Sequence, residues 1–213
     1  DVYNYLQITT RRYLVNQPID CEEQEDLQPT VKLYQRSIGT IYDAYIHEIG
    51  APEMYADLFY VLDTAGEDDI IKLTINSPGG RLDSSLQLYN AIQSANCPVV
   101  ANVVGLACSG GSIVMLACNE WNVMKNARIM VHAASGGVVG KSHEIQASVE
   151  FDKKWDAQVF SDIYKGFLTD KEITEVLAGR DIWLTGEETS VRLQNFIAYK
   201  DKEFKKQMKG WKK

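Results

Sequence analysis

Apolar positions recur along the chain with two different spacings, and the switches between them mark its elements. Residues 1–30 carry neither spacing and include the acidic run Asp20-Cys21-Glu22-Glu23-Gln24-Glu25-Asp26, so they read as an arm and a loop. From Val31 the order becomes regular, with strands expected at 31–34 and 41–49. A helix opens near Pro52, places Met54, Tyr55, Leu58, Phe59 and Leu62 on one face, and stops at Gly66. A strand at 70–75, a turn at 76–80 and a helix with Leu82, Leu86, Tyr89 and Ile92 on one stripe follow. Pro98 opens an apolar strand through Val104, and the small-residue run 109–118 predicts a buried helix.

Two short strands, 120–124 and 128–131, lead to a glycine-rich stretch at 135–140. A long helix is expected over 142–168, its stripe being Ile145, Val149, Asp152, Trp155, Val159, Ile163 and Phe167. Thr169-x-x-Glu172 and Thr185-x-x-Glu188 are capping boxes, in which hydroxyl and carboxylate each take an amide the helix leaves orphaned. Strands alternating with helices predict an α/β fold. The organisation expected is an arm at 1–30, one domain at 31–198 and a tail at 199–213.

Composition narrows the setting. At 213 residues with 45% hydrophobic positions, the chain can close one sizeable core. No stretch approaches the ~20 apolar residues of a membrane span, and residues 1–12 lack the apolar run of a secretory leader. Cys21, Cys97, Cys108 and Cys118 show no paired spacing, which fits a reducing, cytoplasmic setting. The net charge of −7 is uneven: residues 200–213 hold seven Lys against Asp201 and Glu203, leaving the acidic excess on the body. An acidic body disfavours nucleic acid as a partner. In the tail, Phe204, Met208 and Trp211 share the spacing of a short amphipathic helix; a solvated, frayed terminus is the competing reading.

Three segments carry candidate chemistry. In G-L-A-C-S-G-G at 105–111, Ser109 sits where an apolar strand meets a helix start, a position rich in free amides. The first glycine stands four residues before the serine, so this is not the G-x-S-x-G elbow. Of three histidines, His132 ends an apolar strand, as a held general base would; His47 and His143 fit less well. Asn76-Ser77-Pro78-Gly79-Gly80 closes another strand with a turn whose amides could stabilise an oxyanion. Each alone has a bland reading: a helix cap, a core histidine, a tight turn. The segment 135–142 falls one glycine short of a phosphate-binding loop, because Ser135 stands at its first position. The histidines and cysteines share no metal-ligand spacing, so no cofactor or metal is expected.

Taken in order, I-N-S-P-G-G, G-x-A-x-S-x-G, R-I-M-V-H and G-R-D resemble the ClpP family, the proteolytic subunits of the Clp protease. The similarity covers roughly 33–190, and the intervals agree: 29 residues from Gly80 to Ser109, 23 to His132 and 49 to Asp181. The resemblance implies a ClpP/crotonase-like fold of repeated β-β-α units with a protruding strand-helix handle. It implies a Ser109–His132–Asp181 triad, an oxyanion hole at Gly80 and Gly110, and substrate main chain along Gly136 and Gly137. It also implies polypeptide substrates and a homo-oligomer of heptameric rings, stacked through the helix after Ser142. An AAA+ unfoldase is the implied partner, and any ATP dependence would belong to it.

The chain departs from that pattern in places. Gly110 replaces the family's usual methionine, Ala133-Ala134 its Gln-Pro, and the C-terminal segment is replaced by Ser190-Val191-Arg192-Leu193 and the basic tail. Lys72 and Thr74 stand where family aromatics help form the unfoldase's docking pocket, and Gln93 and Ser94 where another aromatic is common. Such divergence resembles phage-borne or accessory members. Three rival readings follow: a crotonase-type hydratase, a non-catalytic ring subunit, and a capsid-maturation protease working without an unfoldase.

Overall fold

The computed structural model describes residues 9–11 and 39–210. Its elements in chain order begin with β1 (Thr9–Arg11), β2 (Ile41–Ile46), a 3-10 turn (Pro52–Tyr55), α1 (Ala56–Thr64), β3 (Ile70–Ser77) and α2 (Leu82–Ser94). They continue with β4 (Val99–Cys108), α3 (Gly110–Ala117), β5 (Glu120–Val123), β6 (Arg128–Val131), α4 (Ser142–Tyr164), α5 (Asp170–Leu177), β7 (Ile182–Thr185) and α6 (Gly186–Gly210). The architecture is the α/β arrangement that the alternating pattern predicts.

One sheet runs β1-β2-β3-β4-β6-β7, with β5 paired to β4 as well. β2, β3 and β4 are parallel, which requires a crossover between successive strands, and α1 and α2 supply it. The longest strand, β4, serves two partners in tandem. Val100–Val103 pair with β5 and Leu106–Cys108 with β6. Alternation then sorts the faces. Ile71, Leu73, Ile75, Val99, Ala101 and Val103 are fully buried, covered by Leu88 and Ile92 of α2 and by the wholly buried α3. The opposite face carries Lys72, Thr74 and Asn102.

Several boundaries differ from expectation for local reasons. The strand expected at 31–34 lies outside the described residues, and three residues of the expected arm form β1. β2 stops at Ile46; beyond it Ile49 makes a single bridge to Gly80, its amide donating to the Gly79 carbonyl at 2.8 Å. β4 runs on past Val104 to Cys108, held at its irregular point by the Leu106 amide donating to Asn76 Oδ1 (3.0 Å). α4 ends at Tyr164 rather than near 168, because the Phe167 and Leu168 amides turn back to the Tyr164 carbonyl. Both capping boxes form, with Thr169 and Thr185 hydroxyls each accepting the amide three residues on (3.2 Å). α6 passes residue 199 without a break. The lysines at 200–209 therefore extend the helix that packs Leu193 and Phe196 into the core, while Phe204 and Met208 stay exposed.

Candidate active site

The site is built where β4 gives way to α3. Ser109 has φ 51° and ψ −124°, and among the described residues it is the one non-glycine with positive φ. A backbone so placed costs on the order of 1–3 kcal/mol and persists only where its surroundings fix it. Two such fixings are present. The Ser109 amide donates to the Met130 carbonyl at 2.8 Å, and the Ser109 carbonyl accepts the Ser112 amide at 2.9 Å. The first bond continues the β4–β6 register, in which Cys108 faces Met130. That register carries His132, two residues beyond Met130, alongside the serine. His132 Nε2 lies 2.8 Å from Ser109 Oγ. To accept the serine proton, Nε2 must be bare, which places the ring proton on Nδ1.

Gly80 and Gly110 border the same cavity as Ser109 and His132, a cleft of about 360 Å³ walled also by Ile113, Met130, Phe160 and Tyr164. The turn at 76–80 is held down from beneath. Buried Ser77 Oγ accepts the Gly79 amide (3.1 Å), and the Arg81 amide donates to the Ile49 carbonyl (2.8 Å). Gly110 is the first residue of α3, where an amide has no acceptor four residues back and the helix end is positive. A Cβ at Gly110 would stand 2.2 Å from Ser85 Oγ, so a side chain there would force Ser85 on α2 to move.

Not all the expected residues converge. The pair Val131 and Ile182 ends the β6–β7 ladder, so the next residues along, His132 and Asp181, come to the same end of the two strands. Yet Asp181 is exposed and makes no hydrogen bond or ion pair among the described residues. Gly136 and Gly137 are exposed in an irregular stretch, with open space where a Cβ would project, while Ala134 and Ser135 just before them line the cleft. Among the described residues no group of three His, Cys, Asp or Glu side chains could hold a metal. Cys108, beside the serine, is buried; burial pushes its thiol up, so it stays protonated at neutral pH.

The family model for Clp protease matches residues 22–191. This chain belongs to the Clp protease family. Among curated proteins it is 36% identical over 103 residues to ATP-dependent Clp protease proteolytic subunit 1 of Rhodopirellula baltica, a match covering 47% of this chain and 45% of that protein. It is 32% identical over 137 residues to proteolytic subunit 1 of Salinibacter ruber, covering 62% and 58% of the two chains. Against the proteolytic subunit of Bacteroides thetaiotaomicron it is 28% identical over 153 residues, covering 71% and 67%. The chain thus spans about half the length of the first two relatives.

Phe160 and Tyr164 line the cleft and buried Ser112 is hydrogen-bonded to Tyr164, yet the hydrophobic pattern assigns none of the three to the site. Ser112 offered a faint signal, a hydroxyl inside an otherwise apolar helix. Phe160 and Tyr164 lie one residue off the predicted α4 stripe, and only the fold brings them under Ser109.

Proposed function

We propose that the chain is a serine endopeptidase that cleaves polypeptides with a Ser109–His132–Asp181 triad inside an oligomeric chamber. The observation that carries this is the 2.8 Å approach of His132 Nε2 to Ser109 Oγ at a strained turn, on the rim of a cleft. Serine is a poor nucleophile until a base takes its proton, and here the base is in place. Ser109 Oγ attacks the scissile carbonyl as its proton passes to His132 Nε2. The Gly80 and Gly110 amides receive the oxyanion. Imidazolium then gives the proton to the leaving amine, and water, deprotonated by the same nitrogen, releases the acyl group. Asp181 serves by turning its carboxylate onto His132 Nδ1–H. Gly136 and Gly137, unobstructed, offer their backbone to the substrate chain.

The chamber of this proposal is built of heptameric rings stacked through α4, and the exposure of Val149 and Phe151 on that helix supports it. The relatives' names include "ATP-dependent", and an AAA+ unfoldase would supply that dependence in a cytoplasmic setting. Ser109→Ala is expected to abolish labelling by a fluorophosphonate probe, and His132→Ala and Asp181→Asn to lower peptide turnover by roughly three orders of magnitude or more. Light scattering is expected to give a mass many times 24.0 kDa. Undiminished labelling of Ser109→Ala overturns the assignment.

A further inference from the structure

The turn that holds Ser109 is fixed from below by a hydrogen-bonded chain that begins on α4. Ser112 Oγ donates to the Ser109 carbonyl at 2.7 Å, and lies 2.7 Å from the Tyr164 hydroxyl. A serine hydroxyl has one proton, and Ser112 spends it on the Ser109 carbonyl. The direction of the second bond is therefore forced, with Tyr164 O–H donating to Ser112 Oγ. Both side chains are buried, and Tyr164 stacks on Phe160 with ring centroids 5.2 Å apart. Tyr164 is the last residue of α4.

We infer that Tyr164 and Ser112 form a positioning pair for the nucleophile, through which α4 sets the backbone of Ser109. The inference rests on the peptidase reading above. Ser109 has a conformation that L-residues rarely adopt, and its carbonyl is one of the few groups that can hold it. That carbonyl also accepts the Ser112 amide at 2.9 Å and the Ile113 amide at 3.4 Å, and the hydroxyl's bond, at 2.7 Å, is the shortest of the three. Polarised by the tyrosine, the hydroxyl is a stronger donor than it would be alone. Burial pushes the Tyr164 phenol up, so it remains a donor across the working pH range. Neither hydroxyl touches the reacting atoms. Their effect is to keep Oγ aligned with His132 Nε2, and a misalignment there slows acylation while leaving the substrate groove in place.

The test uses the full chain, with active sites counted by fluorophosphonate titration so that misfolded protein is excluded. Tyr164→Phe keeps the ring and its stacking but removes the donor; it is expected to lower kcat per titrated site roughly tenfold, with KM changed less than about twofold. Ser112→Ala is expected to do the same. The double variant is expected to be no worse than the poorer single one, because the two act as one chain. A purely structural role would instead lower the melting temperature and the titrated fraction while sparing kcat per site. Tyr164→Phe with kcat per site within twofold of the parent, or single effects that multiply in the double variant, overturns the inference. A parent protein that takes up no probe at Ser109 fails the peptidase reading itself, a different result.

Discussion

Gly110 shows how one residue's identity is decided by a neighbour on another element. A side chain here, such as the methionine the resemblance implies, would force Ser85 to move, because a Cβ would meet Ser85 Oγ at 2.2 Å and Ile49 Cδ1 at 3.2 Å. Ser85 Oγ is itself committed, donating to the Arg81 carbonyl at 2.7 Å at the start of α2. Gly110→Ala is expected to destabilise the fold by about 1–3 kcal/mol, as overpacking does, read as a lower urea midpoint. Adding Ser85→Gly is expected to recover part of the loss, since the blocking hydroxyl is gone. If Gly110→Ala is as stable as the parent, the close approach of α2 and α3 is not as tight as described. At this scale the sequence was informative where residues come in ordered patterns: Ser109 and His132 were legible from strand ends and from the family's intervals. Asp181 was legible by position, yet its carboxylate faces solvent. The bond between Ser112 and Tyr164 was not legible, since a contact spanning 52 residues leaves no local trace.

Among the elements, α5 and α6 are locked by one ion pair. Arg192 donates to both Glu172 carboxylate oxygens, at 2.9 and 2.7 Å, and reaches the Phe167 carbonyl at 3.3 Å. The Arg192 hydrogen bonds, aided by the Thr169 amide and hydroxyl, hold the Glu172 carboxyl down at about 2. An unfolded glutamate titrates near ~4.3. The unfolded chain therefore binds the extra proton between those values, so this contribution is complete above pH ~4.3 and disappears as pH falls toward 2. Glu172→Gln is expected to flatten the stability–pH curve in that window and to cost about 1–3 kcal/mol at neutral pH; an unchanged acid limb in denaturant titrations overturns it. The cap of α5 could be read directly, as Thr169-x-x-Glu172. Its second use, gripping Arg192 from α6, could not, because the same carboxylate serves two roles and only one is local. The same holds for α4: the apolar stripe continues to Phe167, but the burial it signals comes from a turn after the helix has ended.

For the whole molecule, the sheet face turned away from α2 and α3 carries Lys72, Thr74 and Asn102. Its polar character was legible residue by residue; the connections were not. Lys72 faces Asp43 of β2 at 4.0 Å, and Thr74 Oγ1 lies 3.5 Å from Asn102 Nδ2. Asn102 Oδ1 in turn accepts from Asn122 Nδ2 at 2.8 Å, so a polar row crosses β3, β4 and β5. Gln93 donates to the Ala117 carbonyl at 2.6 Å. The resemblance to the family implies aromatic side chains at positions 72 and 74 that would take hydrophobic loops of an unfoldase. Burying one such side chain contributes about 1.5–3 kcal/mol, and a ring repeats that loss at each subunit through avidity. Here a loop would have to displace a hydrogen-bonded row and leave its members unpaired, which adds a penalty to the missing gain. A generic Clp unfoldase with ATP is therefore expected to drive little degradation of a folded, tagged substrate by this chain, while short peptides are still cut. Lys72→Tyr combined with Thr74→Tyr is expected to raise that ATP-dependent degradation. Robust ATP-dependent degradation by the parent chain would show that the polar row does not govern docking, and that exposed Tyr45 and Val104 beside it supply an apolar seat of their own.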